Sequence, residues 1–481
     1  MQPYRRCSWQ SPAWPAPRAN MLFSMSSRIC LALLTVSAFA QMPAEMEKKL
    51  TSKIEGALTK SGAPSVSVAV VQDGVVTFAR AFGNAGIATN RAATPETRYA
   101  AGSISKQFTA AALLLLQELG TLSLNDKVSK YFPQMTRAGE ITLRQLLNHT
   151  AGYEDFAPQD YIIPEWTRPT APGATLDVWA KKPLNFDPGT KWQYSNTNYV
   201  LAAAIFEKAA GRPLMAFLRE KIFAPLGMAS TGSCEDASPA DATAYTRYGL
   251  GPARQVAREA KGWYFGAGEV CSTASDLAKW DIAFLKRQIL SARSYQEFTR
   301  EAVLANGDRT HYALGLQLGE QSRMPVIFHG GEVSGFLALN RVFPTRNVAI
   351  VTLSNEDGIG LLGPLSADIA ATLILPDLPP ADEKDTRLVR NVLEDLHAGK
   401  IRRDLFSANA NAYFTETGIR DLKQSLRKLG RLKAVTRTGE SLRGGMTHRR
   451  YSAVFEKTSV NLNIYLLPDG KFEQFMVMEE F

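Results

Sequence analysis

Ser103 and Lys106 stand three residues apart at the head of an apolar run that continues from Phe108 to Leu116. In a helix that spacing puts both side chains on one face. The lysine amine could then take the serine proton, once burial or a second cation lowers its pKa. The start of a helix also offers backbone N–H groups to developing negative charge. A nucleophile, a base and a polarised environment would share one turn. The competing reading is a helix cap followed by a solvated lysine, and the pair alone does not decide between them.

Three further segments bear on that choice. Tyr194-Ser195-Asn196 follows the turn Asp187-Pro188-Gly189 and precedes a helical pattern. A phenol deprotonated by a nearby lysine could act as general base, and the Asn196 amide could orient a substrate carbonyl or hold the lysine. A buried tyrosine beside a capping asparagine would read the same way. In His329-Gly330-Gly331-Glu332, two glycines inside a strand pattern mark close approach of a ligand or another backbone. His329 there could donate to substrate or tune the base, or be a satisfied core imidazole. Leu146-Leu147-Asn148-His149-Thr150-Ala151-Gly152-Tyr153 reads as a helix end running into a loop that could line a cleft. No Cys/His spacing resembles a zinc site, and no metal or cofactor is expected.

Elements must bring these segments together. Met46, Leu50, Ile54 and Leu58 carry helical spacing. Val66, Val68 and Val70 alternate, Asp73-Gly74 turns, and Val75–Phe78 returns as a hairpin. From Thr142 to about Leu290 short helices alternate with Gly/Pro loops: Leu143–Leu147, Thr197–Ala210, Leu214–Leu226 and Ala274–Leu285. Strand-like runs follow at Tyr312–Leu318, Val326–Phe328 leading to Phe336–Phe343, and Val348–Ser354. Strands at both ends with helices between predict one sheet covered by a helical insertion.

The chain has 481 residues, enough for two or three domains, and 45% hydrophobic with 21% charged residues describes a globular protein. Residues 1–40 differ from the rest. They carry Arg5, Arg6, Arg18 and Arg28 and no acid, then the short apolar run Ile29–Val36, then Ala38-Phe39-Ala40. That pattern describes a secretory signal peptide cleaved after Ala40, with Met21 or Met25 as alternative starts. The run is too short to anchor the chain in a bilayer, which takes about 20 apolar residues. The expected location is therefore periplasmic or secreted. Losing the four arginines takes the formal charge from +9 to +5, with no dense basic run, so nucleic-acid binding has no support. Cys234 and Cys271 remain and could pair in an oxidising compartment, or stay free. The proline-rich stretch Leu375–Pro380 runs into polar residues and divides a hydrolase-sized domain, 41–375, from a linker, 376–385, and a unit of 386–481. That unit shows helical patterns at Leu388–Leu396 and Leu422–Leu429. A hairpin follows from Val460–Leu466 through Pro468-Asp469-Gly470 to Phe472–Met478, so the unit reads as α+β.

The order Ser-x-x-Lys, Tyr-x-Asn, His-x-Gly resembles the serine beta-lactamase-related family, which includes class C beta-lactamases, DD-carboxypeptidases, D-aminopeptidases and esterases. Gly120–Asp126, Leu147–Gly152, Pro188-Gly189 and Gly266–Ala278 are similar to it as well, so the likeness spans about residues 45–375. The resemblance implies an α/β (α+β) fold, an antiparallel sheet flanked by helices with an all-helical insertion. It implies Ser103 as the acylated nucleophile, Lys106 and Tyr194 sharing the base role, and Asn196 on the substrate amide. Backbone N–H groups of Ser103 and Glu332, the latter just after Gly331, would form the oxyanion hole. His329 stands where penicillin-recognising enzymes carry a lysine, which shifts weight from carboxylate-bearing substrates to other small-molecule or peptide amides and esters. A non-catalytic protein of this fold, binding or assembling rather than cleaving, is the alternative. The C-terminal unit resembles nuclear-transport-factor-like cones, on Phe406, Phe414, Arg443-Gly444-Gly445-Met446 and the Pro468-Asp469-Gly470 hairpin. The likeness implies a role in packing, capping the cleft or forming a homodimer.

Overall fold

A computed structural model describes residues 42–159, 162–248, 251–321, 324–358, 360–374, 383–443 and 446–479. The leader read at residues 1–40, most of the linker and Gly444-Gly445 lie outside the described residues.

Helix α1 (Ala44–Ser61) precedes the hairpin of β1 (Ser65–Gln72) and β2 (Val75–Gly86), whose turn residues Asp73 and Gly74 both take positive φ. Two such residues make the turn whose twist matches the strands. β3 (Arg91–Ala92) and β4 (Tyr99–Ala100) follow. Next come α2 (Ser105–Glu118), α3 (Leu143–Leu147) and α4 (Asn196–Ala210), then β5 (Gly232–Ser233), β6 (Val270–Ser272) and α5 (Ala274–Leu285). The domain closes with β7 (Gln317–Gln321), β8 (Met324–Val333), β9 (Phe336–Phe343), β10 (Val348–Ser354) and α6 (Leu362–Ile374).

One antiparallel sheet runs β3-β2-β1-β10-β9-β8-β7, so both ends of the domain meet where β1 pairs with β10. Both faces are covered, and β1 shows how. Val66, Val68 and Val70 pack with Leu50, Ile54 and Ile369 under α1 and α6. Ala69 and Val71 face the larger core that holds α2, α4 and α5. Side chains that alternate across a strand account for the split. The expected sheet and helices are present, but the insertion also holds short strands, β5 and β6 among them, and β6 pairs with both β4 and β5 to make a small sheet behind Ser103. The strand expected over Tyr312–Leu318 forms only from Gln317. Gly315 takes φ +70° where a Cβ would lie 2.8 Å from the Lys106 carbonyl oxygen, so the chain turns there against α2. Cys234 and Cys271 are joined in a disulfide across the edge of the small sheet.

The C-terminal unit has its own core. Helices α7 (Glu383–Ala398), α8 (Ala408–Tyr413) and α9 (Glu416–Lys428) lead into a four-stranded antiparallel sheet of β11 (Leu432–Arg443), β12 (Met446–Phe455), β13 (Ser459–Leu466) and β14 (Phe472–Glu479). Phe406, Phe414, Leu462 and Phe472 are buried together there. α7 begins at Glu383, so the last residues assigned to the linker are helical.

Candidate active site

Ser103 lies in a single 3-10 turn, Gly102–Ile104, and α2 begins two residues after it. Ser105 holds this turn: its hydroxyl donates to the Gly102 carbonyl (2.7 Å) and accepts from the Val270 N–H (3.0 Å). Val270 in turn accepts from the Ala101 N–H, so β6 braces the Ser103 turn from behind. Lys106, one residue into α2, is fully buried. Its Nζ is 2.8 Å from Ser103 Oγ, from Asn196 Oδ1 and from the Ala267 carbonyl oxygen. Desolvation brings its pKa down from 10.5 to about 7, against the pull of Asp155.

The Tyr194 hydroxyl is 2.7 Å from Ser103 Oγ. Burial pushes that phenol well above its usual value, so it is protonated at neutral pH. Asn196, the first residue of α4, spends its amide on Lys106 and on Asp155, to which Nδ2 donates at 3.2 Å. Of the two roles open to Asn196 from the sequence, this geometry displays the one that holds the lysine. Asp155 also accepts the Asn196 backbone N–H (2.9 Å), which caps α4 from another segment.

β8 passes directly over the Ser103 turn. A Cβ at Gly331 would lie 2.0 Å from the Ala101 carbonyl oxygen, and one at Gly102 would lie 2.8 Å from the Glu332 nitrogen. The backbone nitrogens of Ser103 and Glu332 therefore both lie where these two segments meet. His329 is buried, with Nε2 2.8 Å from the Tyr312 hydroxyl and Nδ1 2.6 Å from the Gly330 carbonyl. The carbonyl can only accept, so Nδ1 carries the proton and Nε2 accepts from Tyr312. Burial, reinforced by Lys106, takes the His329 pKa down to about 3, so the ring is neutral.

Sequence reasoning placed His149 in a segment that could line a cleft and gave it no task. Its carbonyl accepts from Gln193 N–H and its Nδ1 accepts from Ser195 N–H (3.2 Å), clamping both neighbours of Tyr194. Its ring packs on Tyr194 with centroids 4.4 Å apart, and its φ of +62° is rare for a side-chain-bearing residue. Asp155, Tyr312 and Glu259 were also missed. Asp155 and Glu259 line the same cleft as Ser103, Asn196 and His329, a space of about 920 Å³. Among the described lining residues the charged groups are Asp155, Glu259 and Glu332, with no arginine or lysine. A serine hydroxyl hydrogen-bonded to a buried amine and a phenol, beside two closely approaching backbone segments, can perform acyl transfer.

A family model described as Beta-lactamase matches residues 50–369, two thirds of the chain. The chain belongs to the Beta-lactamase family. Among curated relatives, penicillin-binding protein 4* of Bacillus subtilis is 27% identical over 309 residues, covering 60% of this chain and 68% of that protein. A D-aminopeptidase of Brucella anthropi is 28% identical over 309 residues, covering 61% of this chain and 56% of its own length. The chain thus spans little more than half of that relative. Among solved structures, a D-stereospecific amidohydrolase from Streptomyces sp. aligns with TM-score 0.59 and 26% identity over 68% of this chain and 98% of its own. An octameric penicillin-binding protein homologue from Pyrococcus abyssi, 20% identical, aligns with TM-score 0.59 over 90% of this chain and 99% of its own, a likeness of fold. The matched residues include Ser103, Lys106 and Tyr194.

Proposed function

We propose that the protein is an exported serine hydrolase that cleaves an amide or ester through an acyl-enzyme on Ser103. The observation that carries this is Ser103 Oγ held between the Lys106 amine (2.8 Å) and the Tyr194 hydroxyl (2.7 Å). Lys106, neutral above its lowered pKa, takes the Ser103 proton as Oγ attacks the substrate carbonyl. The N–H groups of Ser103 and Glu332 receive the oxyanion, with Gly331 allowing the approach. The proton returns through Tyr194 to the leaving nitrogen or oxygen, and water then hydrolyses the ester on Ser103. This division gives Lys106 the base role at rest and Tyr194 the donor role, since burial lowers one pKa and raises the other. Relatives named D-aminopeptidase, D-stereospecific amidohydrolase and D-amino acid amidase favour amides of D-residues as substrates. The neutral His329 and the acidic cleft lining favour substrates without a carboxylate at that point.

The leader-like residues 1–40 support release to the periplasm or the medium after cleavage, a compartment in which the Cys234–Cys271 disulfide persists. For the C-terminal unit we propose a cone of the nuclear-transport-factor-like kind, from its three helices set ahead of a four-stranded antiparallel sheet. It is also the surface through which a homodimer would form.

The deciding experiment is to mix the mature chain with a p-nitrophenyl ester, quench it, and map the adduct by peptide mass. An acyl group on the Ser103 peptide is expected. Turnover without any adduct there, or an adduct elsewhere, overturns the proposal. A pH profile checks the lysine assignment. Lys106 works as the neutral amine, so kcat/KM should climb as pH rises through about 7 and level off above it, with no fall from Tyr194 below pH 10. A flat profile from pH 5 to 9 removes Lys106 from the base role.

A further inference from the structure

Behind one wall of the cleft lies a second space of about 260 Å³. Glu259, Tyr264, Gly268 and Val333 border both, so the chamber and the cleft share these residues as a common wall. Whole-ligand pockets run to about 300–1,000 Å³, so this volume suits one side chain better than one substrate.

Two carboxyl groups of the chamber wall, Glu259 and Glu269, belong to partly buried residues. Neither lies within ion-pair distance of a lysine or arginine among the described residues. Glu259 accepts the Ser334 N–H at 2.9 Å, and Glu269 has only a long contact, 3.4 Å, from the Gly266 N–H. Burying a carboxylate without a cation is costly. The cations bordering the chamber offset that cost only in part, through the attraction of Arg258 for Glu259. Lys261 is largely exposed and pairs with Glu235 at 3.3 Å. The Arg258 guanidinium lies over the Phe336 ring at 5.5 Å and reaches Cys271 Sγ at 3.7 Å. Burial, with Glu235, Glu207 and Asp236 nearby, pushes Glu269 up to about 7, and an arriving cation would relieve both effects. The chamber is also close to the chemistry: Glu269 is two residues beyond Ala267, whose carbonyl accepts from Lys106 Nζ.

We propose that this chamber is a subsite for a basic side chain, ammonium or guanidinium, on the acyl part of the substrate, with Glu269 and Glu259 as its receptors. The acyl part is the relevant one because it stays attached to Ser103 while the leaving group departs, so its side chain must be housed within the protein. The inference rests on the acyl-enzyme reading above and adds the substrate class.

The test compares lysine p-nitroanilide with its uncharged near-isostere norleucine p-nitroanilide, in both enantiomers. A buried charge-assisted contact predicts kcat/KM about tenfold or more higher for the lysyl compound. Glu269→Gln should bring the two compounds to within about twofold by lowering the lysyl value alone, since the neutral amide keeps the shape and loses the charge. Equal rates for the two compounds in the wild type overturn the subsite. So does a lysyl preference that survives both Glu269→Gln and Glu259→Gln. A preference that follows the α-amine instead (alanine p-nitroanilide over its propionyl counterpart) and is lost only in Glu259→Gln also overturns it. p-Nitrophenyl acetate separates the two proposals. If it leaves no adduct on Ser103, the acyl-enzyme reading has failed, and calorimetric titration with n-butylammonium still decides the subsite. Binding to the wild type that Glu269→Gln weakens supports the subsite, and absence of binding sinks it.

Discussion

Lys106→Met is expected to abolish turnover while leaving a folded protein whose relative stability depends on pH. The rate effect follows from position: Nζ is 2.8 Å from Ser103 Oγ, and methionine has no group to take that proton. Turnover of an activated ester should fall by about 10³-fold or more and should resemble that of Ser103→Ala, because residues that act as a unit fail together. Stability sets two opposed effects against each other. The buried amine has its pKa lowered from 10.5 to about 7, so at pH 7 the wild-type fold carries a cost of about 4 kcal/mol relative to an unconstrained lysine. Methionine removes that cost but leaves Asn196 Oδ1 and the Ala267 carbonyl without this donor, at about 1–3 kcal/mol each. Near pH 7 the two nearly cancel.

They do not cancel at other pH values. A lysine whose folded pKa is lowered is most unfavourable below that pKa, and the cost fades as pH rises from about 7 toward 10.5. Stability of the variant minus that of the wild type should therefore decline by about 2–3 kcal/mol between pH 6 and pH 9. Urea unfolding of both proteins at the two pH values measures it. A difference that stays constant across that range would show that Lys106 does not titrate abnormally in the fold, and would remove it from the base role.

The parts of the site that could be read from sequence are those whose chemistry is local. Ser103 and Lys106 share a turn, Tyr194 and Asn196 share the entry to a helix, and His329 to Gly331 share a strand, so each group carries its spacing on the page. His149, Asp155, Tyr312 and Glu259 have no such signature. Their tasks exist only after folding, when His149 clamps the backbone on either side of Tyr194 and Asp155 caps a helix 41 residues away. The one signal was the Asn148-His149-Thr150 stretch itself, which says nothing about what it touches. Fold elements divide the same way. β1 announces itself by apolar alternation and β8, β9 and β10 by strand-like apolar runs, whereas β11 reads Lys433, Thr436, Arg437, Thr438 and Glu440 between few apolar residues and is held by pairing to β12. The Cys234–Cys271 bond was one of two open possibilities until β5 and β6 were placed side by side.

Gly331→Ala should be nearly as damaging as loss of a catalytic side chain, although it removes no functional group. The added Cβ would lie 2.0 Å from the Ala101 carbonyl oxygen, 2.9 Å from its carbon and 3.2 Å from the Ser103 nitrogen. All three are backbone atoms, so no rotamer change relieves the clash and β8 must move off the nucleophile turn. The turn cannot yield easily: Gly102 already takes φ +50°, and the Ala101 N–H is bonded to Val270. Retreat of β8 carries the Glu332 N–H away from Ser103, which undoes half of the proposed oxyanion hole. Loss of one such donor costs about 10²–10³ in kcat. Overpacking adds about 1–3 kcal/mol of destabilisation. Gly330→Ala is the control, since its Cβ would meet nothing nearer than the Ala338 carbonyl oxygen at 3.9 Å. Steady-state kinetics and thermal unfolding of the pair should show Gly330→Ala close to wild type in both and Gly331→Ala impaired chiefly in kcat. Equal activities in the two variants would mean that the approach of β8 to Ser103 does not position the second donor, and the oxyanion assignment to Glu332 would fall with it.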